Sequence, residues 1–404
     1  MSKSLLYHAY GIRDFEYKNT QFKEGKVIFG IKRHSDHLKC PRCGSNKVLR
    51  RGVVNRTFRT LPIGRKPTLV EVAIQRVQCT ECGCVRQEKL SFADPKKSYT
   101  HSLERYVIEL SKMMTIQDIA LHLAMSWNTI KGIQKRYLKK HFSKPNLKNL
   151  SLLAIDEISI GKGHKYLTLV LDLQSGAIVF VSKGKGANSL EPFWKKVKRA
   201  GATIRAIAID MSPAYIDAVQ TNLPDTTIVF DHFHVLKYFN EKLSNFRRLL
   251  YHKISDVYQK NVLKGIRWLI LKNPENLNKS KSEPYRLKRA LKINKPLATA
   301  YYLKEKLRFL WTLANKTQAA VFLQHWIIEA TSSGIPMLIK FAKTLASHRS
   351  GILAYYDYRI STGPLEGVNN KIKTMKRQAY GYRDMEFFQL KLFALHLKKY
   401  ALIG

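Results

Sequence analysis

Two short cysteine pairs constrain this chain more than any other feature. Cys40-Pro-Arg-Cys43 and Cys79-Thr-Glu-Cys82 each run directly into a glycine, Gly44 and Gly83. All five cysteines fall between positions 40 and 84, which argues against a disulfide framework spread over a secreted fold. Between the pairs, residues 68–78 (TLVEVAIQRVQ) alternate as a strand does. Two such knuckles can bring four thiolates into one tetrahedron, the spacing of a zinc ribbon with one structural Zn²⁺ on Cys40, Cys43, Cys79 and Cys82. Redox pairs or inert buried cysteines are the alternatives, and the matched double knuckle favours the metal. Cys84 reads as a bystander. So small a module depends on its metal to fold.

Charge narrows the partner. Against 29 Asp+Glu stand 71 Lys+Arg, a formal net charge of +42 over 404 residues. The 45% hydrophobic and 11% aromatic content is enough for real cores, so this is no disordered basic tail. The length predicts about two to four domains. A folded protein this positive repels itself unless a polyanion is present, which makes nucleic acid the leading partner and an anionic membrane surface the other. No stretch approaches the ~18 consecutive apolar residues of a spanning helix. The N-terminal stretch lacks the apolar core of a secretory signal. The expectation is a cytosolic protein that faces nucleic acid and no membrane.

Residues 115–142 (TIQDIALHLAMSWNTIKGIQKRYLKKHF) have the pattern of a helix-turn-helix. Ile116, Ile119, Ala120 and Leu123 form the first helix's apolar stripe. Ser126 is placed to N-cap a second helix presenting Trp127, Asn128, Thr129, Lys131 and Lys135 outward, where a DNA-binding version reaches base edges and phosphates. Any helical hairpin can show this pattern; the charge and the adjacent ribbon favour the DNA-binding one. A polar linker at 139–151 follows. Then come three strands joined by short Gly-containing turns (152–160, YLTLVLDLQSG and AIVFVSKGKG) and a helix at 189–201 with Phe193, Trp194 and Val197 inward. A strand at 204–210 and another at 226–235 complete the order. That order is the one of an RNase H-like fold. From about 236 to 360 the chain reads as helical, with Trp268, Trp311 and Trp326 at apolar positions and a break at 273–284.

Two strands carry an aspartate on an apolar background, Asp156 in LLAIDEISI and Asp210 in IRAIAIDMS. Burying a carboxylate there is costly unless it binds a cation or a strong donor. A strand-end Asp210 capping a turn is the plain alternative. Glu157, by alternation, points to the opposite face from Asp156. Further on, STGPLEGVNNKIKTMKRQAYGYRD (361–384) places one carboxylate, Glu366, at the head of a basic run. At 100° per residue, Glu366, Asn370, Lys373 and Arg377 share one helical face, opposite Val368, Ile372, Met375 and Ala379. That arrangement suits a metal-binding acid that works on DNA. Phosphodiester chemistry calls for three carboxylates and two Mg²⁺ (or Mn²⁺) ions per active site, and hard oxygens are the right ligands. His232 and His234 read as packed histidines rather than ligands, and GKGHK (161–165) as a hairpin turn.

The stretches AIDEISIGKGHKYLTLVLD, AIDMSPAY, FDHFHVLKYFN and TGPLEGVNNKIKTMKRQAYGYRD resemble the DDE transposases of the ISL-three insertion-sequence family, whose order of zinc ribbon then helix-turn-helix is also the one found here. The resemblance covers nearly the whole chain. It implies a multidomain α+β protein: a zinc ribbon within 1–95, a helix-turn-helix at 96–145, and an RNase H-like mixed sheet at 150–240. An all-helical insertion at 241–355 and the core's C-terminal helices at 356–404 follow. It implies Asp156, Asp210 and Glu366 as the metal-binding triad, and double-stranded DNA, transposon ends and target, as the partner. A homodimer or larger assembly on DNA, and a prokaryotic, nucleoid-associated location, follow from that activity. Asp231-x-x-His234 matches a short signature of related groups, with a supporting role or, for Asp231, a rival claim to the second ligand position. Glu366 and Lys373 resemble the Glu-x6-Lys pairing in which the lysine contacts the transposon end. Tyr356 and Arg359 stand too far upstream to match the usual Tyr-x-x-Arg element. A catalytically inert zinc-containing DNA-binding regulator and another RNase H-like nuclease are the rival readings.

Overall fold

The computed structural model describes residues 4–33, 38–161 and 163–397. Asp36 and His37 beside the first cysteine pair, Lys162 of the GKGHK turn, and the outer ends of the first and last expected domains lie outside them. The chain divides into two compact units, Met1–Ser143 with Lys371–Lys391 and Leu397–Gly404, and Lys144–Asn370 with Leu392–His396.

In the first unit a short helix α1 (Leu5–Tyr10) precedes the hairpin β1 (Phe15–Lys23) and β2 (Lys26–Arg33). A longer hairpin follows, β3 (Val48–Ile63) and β4 (Lys66–Cys79), and β5 (Val85–Gln87) adds to β4. The sheet order is β1-β2-β4-β3, with β2 and β4 parallel. Period-2 alternation turns Val70, Val72 and Ile74 of β4 into a core with Phe15, Phe29, Phe58 and Phe92. Val48 lies opposite Cys79 at the open end of the β3–β4 hairpin. That register carries the two cysteine knuckles to one place.

Three helices follow: α2 (His101–Leu110), α3 (Ile116–His122) and α4 (Trp127–Phe142). Thr115 caps α3 in a capping box with Asp118, and Ser126 caps α4 through the Thr129 N–H. Ile116, Ile119, Ala120 and Leu123 are buried with Ile130 and Ile133 of α4, as the periodicity predicts.

The second unit contains a five-stranded mixed sheet of β6 (Leu152–Gly161), β7 (Lys165–Asp172), β8 (Ile178–Lys183), β9 (Ala206–Ile209) and β10 (Thr227–Phe230), interrupted by α5 (Glu191–Ala200) and α6 (Pro213–Asn222). Its order is β10-β9-β6-β7-β8. β6, β7 and β8 form an antiparallel meander, and β9 and β10 run parallel to β6. This is the RNase H-like arrangement. Phe193, Trp194 and Val197 of α5 are buried against it.

One expected strand is cut short. Residues 226–235 do not run extended throughout: β10 stops at Phe230, and Asp231 N-caps the long helix α7 (His232–Lys253) by accepting the Phe233 N–H. The apolar spacing changes there from adjacent Val229 and Phe230 to Val235 and Phe239, four apart, all buried. An all-helical insertion follows: α8 (Val257–Gly265), α9 (Glu283–Ile293), α10 (Lys295–Arg308), α11 (Lys316–Ser332), α12 (Pro336–Ser347), α13 (Arg349–Leu353) and α14 (Tyr355–Tyr358). Trp326 is fully buried against Phe239 and Phe341, and Trp311 is buried too. Trp268 departs from its expected core position: it is exposed, with the Arg267 guanidinium over its ring. Gly351 lies so close to the Phe230 ring that a Cβ there would fall 2.4 Å from it, which fixes the end of β10 and hence Asp231. The chain closes with α15 (Gly363–Gln378) and α16 (Met385–Phe393).

Candidate active site

Parallel register sets the levels of the acids. The last paired residues of β6 and β9 are Ala154 and Ala208, so Asp156 and Asp210 each stand two residues further on. They share a level and, by the period of two, a side. Phe230 pairs with Ile209, which puts Asp231 at the next strand end, its N–H donating to the Ile209 carbonyl at 3.2 Å. Asp210 and Asp231 therefore stand just past the carboxyl ends of β9 and β10, level with Asp156, which lies within β6 just beyond its pairing with β9 and still paired with β7.

Their surroundings separate them. The Asp231 side chain is 1% exposed, and both its oxygens are engaged. Oδ1 accepts the Phe233 N–H at 3.2 Å, and Oδ2 accepts the Thr362 hydroxyl. The rings of His232 and His234 lie beside it, 3.3 and 4.0 Å away. Asp210 is only half-buried. Its Oδ1 accepts the Ser212 N–H at 3.0 Å, and it opens on a cleft of about 500 Å³ also lined by His234, Lys237, Glu241 and His348. Asp156 accepts the Glu157 N–H at 2.7 Å and the Asn369 amide at 2.9 Å. Burial pushes its carboxyl above the usual range; the Glu157 N–H, His234 and Asn369 oppose this, and the charge of Asp210 adds to it. Glu157 points away as alternation requires, taking the Tyr215 hydroxyl and the Gly186 N–H.

Helix α15 buries Leu365, Asn369, Ile372 and Met375, and exposes Glu366, Asn370, Lys373 and Arg377. The grouping of Glu366, Asn370, Lys373 and Arg377 on one face thus holds along the helix. Glu366 lies in the first turn, where a negative charge suits the helix dipole. Asn369, one turn beyond it, ties α15 to β6 through Asp156. Sequence reasoning passed over Asn369 and Thr362; a polar residue on the apolar stripe Leu365–Asn369–Ile372 was the available clue. Among the described residues, Asp156, Asp210 and Glu366 do not gather their oxygens within the 4.8 Å spread that the four cysteines reach.

Asp231→Ala is expected to lower stability by roughly 2–4 kcal/mol, from a lost helix cap and an unpaired buried Thr362 hydroxyl. A denaturant melt of the variant checks this, and a midpoint equal to the parent's would exclude a structural part for Asp231.

The four sulfurs of Cys40, Cys43, Cys79 and Cys82 lie within 4.8 Å of one another. Cys40–Cys82 and Cys43–Cys79 are 3.6 and 3.5 Å apart, close to the edge of about 3.8 Å that a tetrahedron with 2.3 Å Zn–S bonds requires. Gly44 and Gly83, with φ of 80° and 67°, turn each knuckle so that its N–H bonds the carbonyl of Cys40 or Cys79. The Cys43 and Arg42 N–H groups hold the Cys40 thiol down to about 6 against its burial. At Cys43 the Ser45 N–H also lowers, but the neighbouring Cys40 thiol and burial push it up to about 12. Four thiols this close cannot all ionise without a cation, which fits a soft divalent metal.

On α4, Trp127 and Asn128 are exposed and Thr129 is half-buried. Lys131 and Lys135 differ from the outward placement expected of them. Both are half-buried in ion pairs, Lys131 with Asp384 at 3.1 Å, Lys135 with Asp384 at 3.0 Å and with Glu386 at 2.7 Å. The sequence distance of about 250 residues hid these partners. The Phe387 N–H, then Lys135 and Lys131, hold the Asp384 carboxyl far below the usual range despite some burial. A depressed folded-state pKa means the stabilisation is present above the ordinary carboxylate pKa and is lost only as pH falls through the lower folded value. Asp384→Asn is therefore expected to loosen α16 from α4 at neutral pH and to leave little difference from the parent in strong acid. Amide exchange in 385–391 across pH reads this out, and equal protection at neutral pH would contradict it.

A mixed RNase H-like sheet with acids level on its adjacent parallel strands, together with a four-cysteine ribbon and a helix-turn-helix, defines a class of protein that works on DNA. Three family models match: "Transposase" over residues 153–392, the helix-turn-helix domain of transposase family ISL3 over 88–138, and the zinc-finger of transposase IS204/IS1001/IS1096/IS1165 over 37–82. The chain belongs to the ISL3 family of transposases. It is 31% identical to the transposase for insertion sequence element IS1001 of Bordetella parapertussis, over 96% of this chain and 95% of that one. To the transposase for IS1557 of Mycobacterium tuberculosis it is 27% identical, over 92% and 89%. Among solved structures, the Drosophila P element transposase strand transfer complex matches with a TM-score of 0.38 at 11% identity, over 64% of this chain and 79% of that one. That likeness is too slight to bear on fold or function. No helix among the described residues is long and apolar enough to cross a membrane.

Proposed function

We propose that this transposase cuts transposon ends and joins the freed 3′-hydroxyls to target DNA at a single site formed by Asp156, Asp210 and Glu366. The observation that carries the reading is the β6–β9 register, which sets Asp156 and Asp210 level with each other just beyond the last β6–β9 pair, with Asn369 tying the Glu366 helix to Asp156. Asp231 is spoken for by Phe233 and Thr362, which favours Asp210 as the second ligand. The three carboxylates are hard oxygen donors and fit two Mg²⁺ or Mn²⁺ ions. Bound there, the ions would lower the pKa of the attacking water or 3′-hydroxyl and stabilise the leaving oxygen.

The chain's own residues supply position. Asn369 orients Asp156, and the Asp231–Thr362 bond anchors the approach to α15. Asn370, Lys373 and Arg377 would hold the DNA backbone beside Glu366. One Zn²⁺ on Cys40, Cys43, Cys79 and Cys82 would fold the ribbon. The ribbon and the helix-turn-helix would read the terminal inverted repeats, with Trp127, Asn128 and Thr129 toward the bases. Lys131 and Lys135 would reach phosphates only on leaving Asp384 and Glu386. Coordinated cutting of two ends calls for at least a dimer on DNA, and the work belongs in the cytoplasm at the nucleoid. The expected domains 1–95, 96–145, 150–240, 241–355 and 356–404 divide these tasks.

The test is cleavage of a labelled duplex carrying the gene's own flanking ends, with Mg²⁺ or Mn²⁺ and with EDTA. Metal-dependent release of a 3′-hydroxyl end is expected. Tight end binding with no cleavage under either metal would favour an inert regulator instead.

A further inference from the structure

The turn between α15 and α16 takes no part in cutting or in base reading as described so far. Tyr380 has φ +50°, a left-handed conformation uncommon for so bulky a residue, and its side chain is 101% exposed. The turn is nevertheless well held. The N–H groups of Tyr380 and Gly381 bond the carbonyls of Arg377 and Lys376 at 3.1 and 2.9 Å. Tyr382 stacks on Phe388 with ring centroids 4.7 Å apart. A firmly anchored loop thus presents an aromatic ring that nothing covers among the described residues.

That ring borders a cleft of about 910 Å³ inside the first unit, between the 378–384 turn and the starts of α3 and α4. Trp127, itself 43% exposed, lines the same cleft, with the Lys131 ammonium over its ring at 5.3 Å. Arg383 lines the cleft and makes no ion pair among the described residues. Both lining acids are committed: Asp118 to the α3 capping box, Asp384 to Lys131 and Lys135. Two aromatic rings, free cationic charge and no free acid suit a ligand that is flat, aromatic and anionic.

We propose that this cleft, which Trp127 also lines, binds an unpaired nucleotide of the DNA, its base stacked on Tyr380 and its phosphate against Arg383. Duplex bases offer grooves only their edges, whereas unpaired bases expose the faces that aromatic side chains stack on. The inference rests on the DNA-binding reading above and is independent of the metal site.

It is tested in EDTA with the full-length protein and two labelled DNAs of the same end sequence, one fully paired and one with a short unpaired end carrying 2-aminopurine. Tyr380→Asn removes the ring while suiting the left-handed backbone. This variant is expected to bind the unpaired end about 5- to 150-fold more weakly and the paired end as the parent does. The 2-aminopurine quench should disappear with it and persist in Tyr380→Phe. Equal losses on both DNAs, or no loss and no quench, would overturn the site while leaving the DNA reading standing. Failure of the parent protein to bind even the paired end would overturn both.

Discussion

Glu366→Gln is expected to lower metal-dependent end cleavage by at least ~10³-fold, because a lost ligand forfeits several kcal/mol of transition-state stabilisation. End binding should stay unchanged. The substitution preserves size and helix propensity, and Glu366 is exposed on α15, so no packing loss competes with the chemical one. The buried stripe of Leu365, Ile372 and Met375 is untouched. A single-turnover cleavage assay beside a binding titration separates the two effects. Cleavage within tenfold of the parent would remove Glu366 from the site.

The second large effect belongs to the ribbon. Cys40→Ser or Cys79→Ser is expected to release the single bound zinc and to abolish specific end recognition. Structural zinc contributes an apparent ~10–16 kcal/mol, as much as the whole stability of an ordinary small domain. Without it, the knuckles are joined by the Val48–Cys79 pairing of the β3–β4 hairpin, by Thr80, whose N–H and hydroxyl donate to the Lys47 carbonyl, and by an exposed Lys47–Glu81 pair, contacts worth far less than the metal. The core around Trp326, Phe239 and Phe341 draws on none of these residues and should keep its melting transition. Zinc release measured with a chelating dye, together with proteolysis of residues 38–90, reads this out. Full specific binding by either variant would contradict the zinc assignment.

What could be read from the sequence follows the range of the forces involved. The helix-turn-helix was legible because Thr115 and Ser126 cap over three residues and the apolar stripe repeats every three or four. The meander of β6, β7 and β8 was legible from short turns between apolar runs. The β1–β2 hairpin was not, since charged outward rows obscure its alternation. The end of β10 was misplaced because Asp231 looks like a strand residue until its cap to Phe233 is seen. At the site, Asp156 and Asp210 stood out as costly acids on apolar strands. Asn369 did not, because its partner Asp156 is far away in sequence. The same separation concealed the commitment of Lys131 and Lys135 to Asp384 and Glu386.

The most direct test of the triad sets Asp156→Asn, Asp210→Asn and Asp231→Asn side by side in the labelled-end cleavage assay with Mg²⁺. Asparagine keeps the helix cap through its one amide oxygen, and its NH2 can donate to the Thr362 hydroxyl oxygen in place of accepting from it, so the third variant keeps its fold. Cleavage lost in the first two and retained in the third is the result that the β6–β9 register predicts. Cleavage retained in Asp210→Asn and lost in Asp231→Asn would contradict it and move the second metal ligand to β10.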